Sequence, residues 1–292
     1  MAKEISRSAG VGLEGSCGPE ARDWFRSHAP VAGVERLEAH FAGIAYGRHR
    51  HDTYAIGVTL AGTQAFDYRG AARVSGPGEV FVLHPDEPHD GRAGSEAGFG
   101  YRQVYVAPAR IAEAVRQLTG GVAALPFLRE PVSQNARLGA AVQSAFSLEA
   151  VPIASDELVL ELTACLLAGD PDSRPARGGR LDLRAVGRVR QFLEAETGRV
   201  VRSAELEAVS GLSRFELARQ FRAVCGTSPY RFSLLRRLDS ARGCLGGEAS
   251  LTEVALDAGF ADQAHFTRLF KAAYGLTPAR YARLAAQDRP EP

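Results

Sequence analysis

The chain carries one stretch almost twice. GFADQAHFTRLFKAAYGLTPARY begins at Gly259, and GLSRFELARQFRAVCGTSPYRF begins at Gly211. From their helices onward the copies run in register, 49 residues apart, with Gly226 matching Gly275 and Pro229 matching Pro278. A repeat at such a distance means one structural unit built twice. In the first copy Ser213 is placed to cap a helix over 214–224, Gly226 to stop it, and Ser228 with Pro229 to start the next. Leu217, Phe221 and Val224 fall on one face of that helix. In the second copy Asp262 is the cap, Phe266, Phe270 and Ala273 are the buried face, Gly275 is the stop and Pro278 the restart. A shorter helical segment precedes each unit, SAELEAVSG and SLTEVALDAGF. Helix, glycine turn, helix is the helix-turn-helix pattern, and the second helix of such a unit can enter the major groove of DNA.

The outward positions of the two second helices are therefore the candidate DNA contacts. They are Arg214, Phe215, Ala218, Arg219 and Arg222 in the first copy, and Gln263, Ala264, His265, Thr267, Arg268 and Lys271 in the second. Arg219 and Arg268 occupy equivalent places, where a guanidinium reaches a guanine edge or a phosphate, and Gln263 suits adenine. Two such helices on one scaffold would read major-groove segments about one turn, ~34 Å, apart. Charge agrees in sign. From Leu181 onward there are 17 Lys+Arg against 13 Asp+Glu, or +4, which leaves 18 against 21, or −3, for the first 180 residues.

The first half reads differently. TYAIGVTLAG, TQAFDYRG, EVFVLHP and FGYRQVYV, within residues 45–107, are short apolar runs separated by turn residues and predict strands of a barrel or sandwich. After Pro108, ARIAEAVRQLTG, SQNARLGAAVQSAFSLEA and SDELVLELTACLLAG have helical apolar spacing. Leu158, Leu162 and Leu166 make a stripe that meets either its own domain or a second copy of the chain. GDPDSRPARGGR, 169–180, with two prolines and three glycines, is expected to link two domains. The expected division is a tail over 1–20, a barrel with trailing helices over 21–168, the linker, and an all-helical domain over 181–287. The overall class is α+β with two domains. Four scattered cysteines without a CxxC pair fit a reducing compartment. No apolar run reaches the ~18–20 residues that cross a bilayer, and the polar N-terminus reads as a cytoplasmic tail.

Residues 182–285 resemble the DNA-binding domain of the AraC/XylS family of bacterial transcription regulators. The run GF-x-D-Q-x-x-F-x-R-x-F-K-x-x-x-G-x-T-P-x-x-Y carries the likeness and is intact here. The resemblance implies seven helices, two helix-turn-helix units joined by a long helix over 228–246. One departure concerns Glu207, which stands where the second unit has Ala255 and where the family has a small residue; it is either crowded or turned outward. Residues 45–107 are similar to the cupin-like effector domains attached to members of this family, through His49 and His51, the Gly62 turn, Pro77 to Val80, and HPDEPH with His84 and His89. The resemblance implies a barrel holding a small-molecule effector. His49, His51 and His89 are candidate effector contacts, or alternatively three metal ligands. Cupin enzymes add a carboxylate after the second histidine, where this chain has TYAI, so no metal and no cofactor are assigned. Arg102 and Val104, on one face of FGYRQVYV, are expected to look into the barrel.

Three readings follow. The first is a sequence-specific DNA-binding regulator, not an enzyme, tuned by a small molecule in the barrel. The others are a metal-dependent cupin enzyme with a helical appendage, and a DNA-binding regulator whose barrel only dimerises. Double-stranded DNA and a small molecule are the expected partners, with RNA polymerase and a second copy as candidate protein partners and no membrane.

Overall fold

A computed structural model describes residues 23–31, 33–121, 124–146, 152–170 and 181–286. The proposed tail and nearly all of the proposed linker lie outside the described residues. Among the described residues nine strands come first, β1 (Trp24–Val31), β2 (Val34–Phe41), β3 (Ile44–His49), β4 (Tyr54–Gly62), β5 (Gln64–Tyr68), β6 (Ala71–Ser75), β7 (Val80–Leu83), β8 (His89–Ala93) and β9 (Phe99–Val106), and the short β10 (Val132–Ser133) follows the first helix. They form a six-stranded sheet, β1-β2-β9-β4-β7-β10, and a four-stranded sheet, β3-β8-β5-β6. Every pairing is antiparallel. The strand prediction named β4, β5, β7 and β9, read β6 as turn residues and missed the others, among them β1 and β2, where WFRSHAPV and VERLEAHF carry polar side chains left partly exposed.

The middle of the six-stranded sheet, β9, β4 and β7, is buried on both faces. Ile56, Val58, Val82, Val104 and Val106 pack outward against α1 (Pro108–Thr119), α2 (Ala136–Ser144) and α3 (Pro152–Ala168). Ala55, Phe81, Leu83, Phe99 and Tyr101 pack inward, between the sheets. Gly57 is needed there, because a Cβ on it would lie 2.1 Å from the Phe81 ring. The Leu158, Leu162 and Leu166 stripe is buried in the outer core of its own domain. That settles the stripe against a dimer contact, since an amphipathic face is spent once.

Seven helices follow: α4 (Leu183–Ala195), α5 (Ser203–Ser210), α6 (Arg214–Cys225), α7 (Pro229–Gly243), α8 (Leu251–Asp257), α9 (Gln263–Tyr274) and α10 (Pro278–Ala286). The expected caps are made: Ser213, Ser228 and Asp262 each accept an amide of the first turn. Gly226 and Gly275 end their helices in the left-handed region at φ +72°. Glu207 turns outward, and its carboxylate accepts the Arg214 amide at 2.8 Å, a second cap on α6, while Ala255 is fully buried in the other unit.

The helices close on the barrel. Leu276 and Leu284 are buried in the same cluster as Phe25, Phe41 and Tyr101, with Tyr281 packed against it. Five arginines of the helical part reach four carboxylates of the barrel. Arg242 is bidentate on Glu35 at 2.9 and 3.0 Å, and Arg236 meets Asp52 at 3.1 Å. Arg280 meets Asp23 at 2.9 Å, Arg231 meets Asp86 at 2.8 Å, and Arg222 reaches the same Asp86 at 3.5 Å.

Candidate functional site

A cavity of about 520 Å³ opens where these two halves meet. Its floor belongs to the barrel and includes Tyr46 and His49 of β3, His89 of β8, and Tyr101, Gln103 and Tyr105 of β9. Its lid belongs to the helices and includes Arg236 and Arg242 of α7 together with Tyr274, Leu276 and Tyr281. A cavity of this size, largely apolar with a few convergent polar groups, is a small-molecule site by its physical character.

Three of the sequence-named residues come together in it. His49, His51 and His89 have ring centroids 4.3 to 6.2 Å apart, and His51 stands edge-on to Tyr105 at 5.3 Å. Each ring is fixed by a main-chain carbonyl two residues away: Nδ1 of His49 donates to Gly47 O at 2.9 Å, that of His51 to Thr53 O at 2.8 Å, and that of His89 to Glu87 O at 2.9 Å. Burial, and then the neighbouring imidazoles, push His49 and His51 well below the usual histidine range, and burial takes His89 down to about 4. Among the described residues no three His, Cys, Asp or Glu side chains are arranged to hold a metal ion.

Arg102 and Val104 do not line the cavity. Val104 is buried under the helices α1–α3, and Arg102 pairs with Glu38 at 3.3 Å with its guanidinium 5.0 Å from the Phe146 ring centroid. Alternation along β9 identified two faces but not which was inner, because helices bury the outer face too. The pocket residues of β9 are the odd-numbered set, Tyr101, Gln103 and Tyr105. His84, the remaining barrel histidine of the sequence motif, works as a joint: Leu128 N–H donates to its Nε2 at 3.1 Å, and Tyr68 Oη lies 3.0 Å from its Nδ1. The lid residues had no local signal; only the opposite charges of the two halves hinted that they would meet.

The candidate DNA contacts lie on α6 and α9. Arg214, Phe215, Ala218, Arg219, Arg222, Gln263, Ala264, Arg268 and Lys271 are exposed, and His265 and Thr267 are half-buried. His265 packs edge-on against Phe260, and Gln263 Oε1 accepts the Thr252 hydroxyl at 2.9 Å. Both helices touch the barrel at their C-terminal ends. A Cβ on Gly226 would lie 3.0 Å from Pro85 and from Pro108, and one on Gly275 would lie 2.8 to 2.9 Å from Tyr46, Gly47 O and His49 Nδ1. Gly47 N–H donates to Gly275 O at 2.9 Å, a main-chain bond between β3 and the end of α9.

Comparison with known proteins agrees on both halves. A model of AraC-like ligand-binding domains matches residues 31–163, and a helix-turn-helix domain model matches 206–284. The chain belongs to the AraC/XylS family of transcription regulators. It is 27% identical over 235 residues to an uncharacterized helix-turn-helix regulator, YbfI, of Bacillus subtilis, covering 78% of this chain and 85% of that one. It is 32% identical over 96 residues to the XylDLEGF operon transcriptional activator of Pseudomonas putida, 32% of this chain and 30% of that protein. In fold it is similar to ToxT of Vibrio cholerae. The apo form of a ToxT variant superposes with a TM-score of 0.62 at 13% identity, over 89% of this chain and all of that one. ToxT with an unsaturated fatty acid bound superposes at 0.59 and 14% identity, over 92% and 98%. This chain is accordingly a DNA-binding transcription regulator with a ligand-binding domain. Among the described residues no helix is long and apolar enough to cross a membrane.

Proposed function

We propose that the chain reads DNA with α6 and α9 and that a small molecule in the interdomain cavity sets how well it does so. One observation carries this reading: the segments that supply the cavity's histidines also receive the C-terminal ends of both reading helices. Gly275 sits on Tyr46, Gly47 and His49, and Gly226 sits on Pro85, four residues before His89. A molecule that prefers one arrangement of floor and lid shifts the population of domain arrangements in proportion to that preference, and DNA affinity shifts with it. That ToxT, which shares this fold, is found with an unsaturated fatty acid bound supports looking for a small-molecule ligand of this chain.

The reading treats the chain as a binding protein without catalysis, acting in the cytoplasm on double-stranded DNA. RNA polymerase and a second copy are its proposed protein partners. The proposed division remains a tail over 1–20, an effector domain over 21–168, a linker over 169–180 and a DNA-binding domain over 181–287. A thermal-shift screen finds ligands of the full chain, and each hit is then added to a mobility-shift assay on the DNA upstream of its gene. The reading expects hits that change DNA affinity. Hits that stabilise the chain and leave DNA affinity untouched would favour a barrel that does not sense.

A further inference from the structure

Strand β3 runs out of the barrel through GRHRH, residues 47–51. Successive side chains of an extended chain point to opposite faces, and here the two faces differ in chemistry. His49 and His51 line the cavity, while Arg48 and Arg50 are exposed on the outside. Both reading helices end beside this segment. Arg50 lies 3.7 Å from Asp86, the carboxylate that Arg222 of α6 reaches at 3.5 Å, so the two guanidiniums are neighbours. A Cβ on Gly47 would lie 3.8 Å from Lys271 Cε of α9, and Gly47 N–H donates to Gly275 O at the end of that helix. Arg222 and Lys271 are both outward positions of their helices. Residues 47–50, about 10 Å of extended chain, therefore bridge from one reading helix to the other.

The bridge carries more positive charge than the chain neutralises. Arg50, Arg222 and Arg231 share the one carboxylate of Asp86. The other acids of the β7–β8 loop and β8 are engaged elsewhere, Glu87 with Arg69 at 3.8 Å and Asp90 with Arg92 at 3.1 Å. Among the described residues nothing pairs with Arg48. The Arg50 side chain is 46% exposed and that of Arg222 63%, so both can turn to an anion from outside. Helices in two successive major-groove segments leave a minor groove and its phosphates between them on the same face of the duplex. An element bracketed by the two helices meets that stretch.

We propose that the barrel itself binds DNA: Arg48 and Arg50 hold phosphates of the stretch between the two major-groove segments, a third contact that is independent of base sequence. This rests on the reading of α6 and α9 as the DNA-reading pair. One strand then faces the cavity with its histidines and the duplex with its arginines. The full chain and its Arg48→Ala, Arg50→Ala and doubly substituted variants are titrated with the duplex upstream of the gene and with an unrelated duplex of equal length, between about 50 and 200 mM salt. Each substitution lowers the slope of log affinity against log salt by about 0.9 and weakens both duplexes by the same factor. Arg48→Lys keeps the slope. So does Arg73→Ala, on the opposite edge strand β6, where the side chain pairs with Glu130 at 3.1 Å. Hydroxyl-radical footprints of the double variant lose protection between the two major-groove segments and keep the segments themselves. An unchanged slope and footprint in the double variant, or an equal fall in Arg73→Ala, overturns the barrel contact. If Arg219→Ala and Arg268→Ala still lose their own segments, the reading helices stand without it. If those two variants lose nothing either, the reading of α6 and α9 falls as well.

Discussion

At Gly275 the chain is held at φ +72° with Tyr46, Gly47 and His49 all within 2.9 Å of where a Cβ would stand. Gly211 has the same backbone sign, at φ +73°, but open space around it. The pair separates two costs. Gly211→Ala should lose only the left-handed penalty, about 1–2 kcal/mol. Gly275→Ala should lose that and the seat of α9 on β3, so its melting temperature falls further and small-angle scattering reports an expanded chain. Equal losses would mean that the α9–β3 contact contributes little. The sequence marked Gly275 as a helix stop and Gly211 as the glycine of a turn; it held no sign that Gly275 is also an interdomain contact, because its neighbours are over 200 residues away. The histidines make a second prediction. His84 titrates down to about 3 and His89 to about 4, with His49 and His51 also lowered, all chiefly by burial. The unfolded chain takes up these protons near pH 6.5 and the folded chain does not, so stability is full above that pH and is lost as pH falls toward the folded values. Each such proton steepens the loss by about 1.4 kcal/mol per pH unit. Thermal melts should drop between pH 7 and 5, and less steeply in His51→Gln. A flat profile would mean that the rings are not held neutral.

The loop between β7 and β8 has two working ends. Its His89 faces the cavity, while Asp86, at φ +64°, meets Arg231 and Arg222 of the helical domain and Pro85 backs Gly226. Arg222 is a proposed DNA contact, and on that proposal the loop and DNA compete for one side chain. Asp86→Asn keeps a residue that accepts the left-handed conformation and removes the charge. It should raise DNA affinity a few-fold without ligand, the scale of a partly exposed ion pair, read by mobility shift. Unchanged affinity would free the loop from any part in DNA binding. The repeated helices were legible because each cap, stop and proline is a local signal, and α6 through α10 fall where those signals put them. Strand β9 was legible as a strand but not in its parity. A central strand buried on both faces reads the same either way, so Arg102 and Val104 were assigned to the cavity in place of Gln103 and Tyr105.

Across the whole molecule the charge split seen in the sequence has two uses. A basic C-terminal part suits DNA, yet five of its arginines are engaged by Glu35, Asp52, Asp86 and Asp23 of the barrel. Composition alone could not apportion them, because a phosphate and a carboxylate ask the same of a guanidinium. Partly exposed pairs are screened by salt, so the radius of gyration of the full chain should rise between low and high ionic strength, and a constant radius would place the docking on the apolar contacts of Leu276, Tyr281 and Leu284 alone. The account depends most on α6 and α9 reading one duplex together. Hydroxyl-radical footprinting of the full chain on the DNA upstream of its gene tests this directly. Two protected major-groove segments about 10 base pairs apart on one face, the further one lost in Arg268→Ala and the nearer one in Arg219→Ala, are predicted. A single protected segment, or even protection along any DNA, would contradict it.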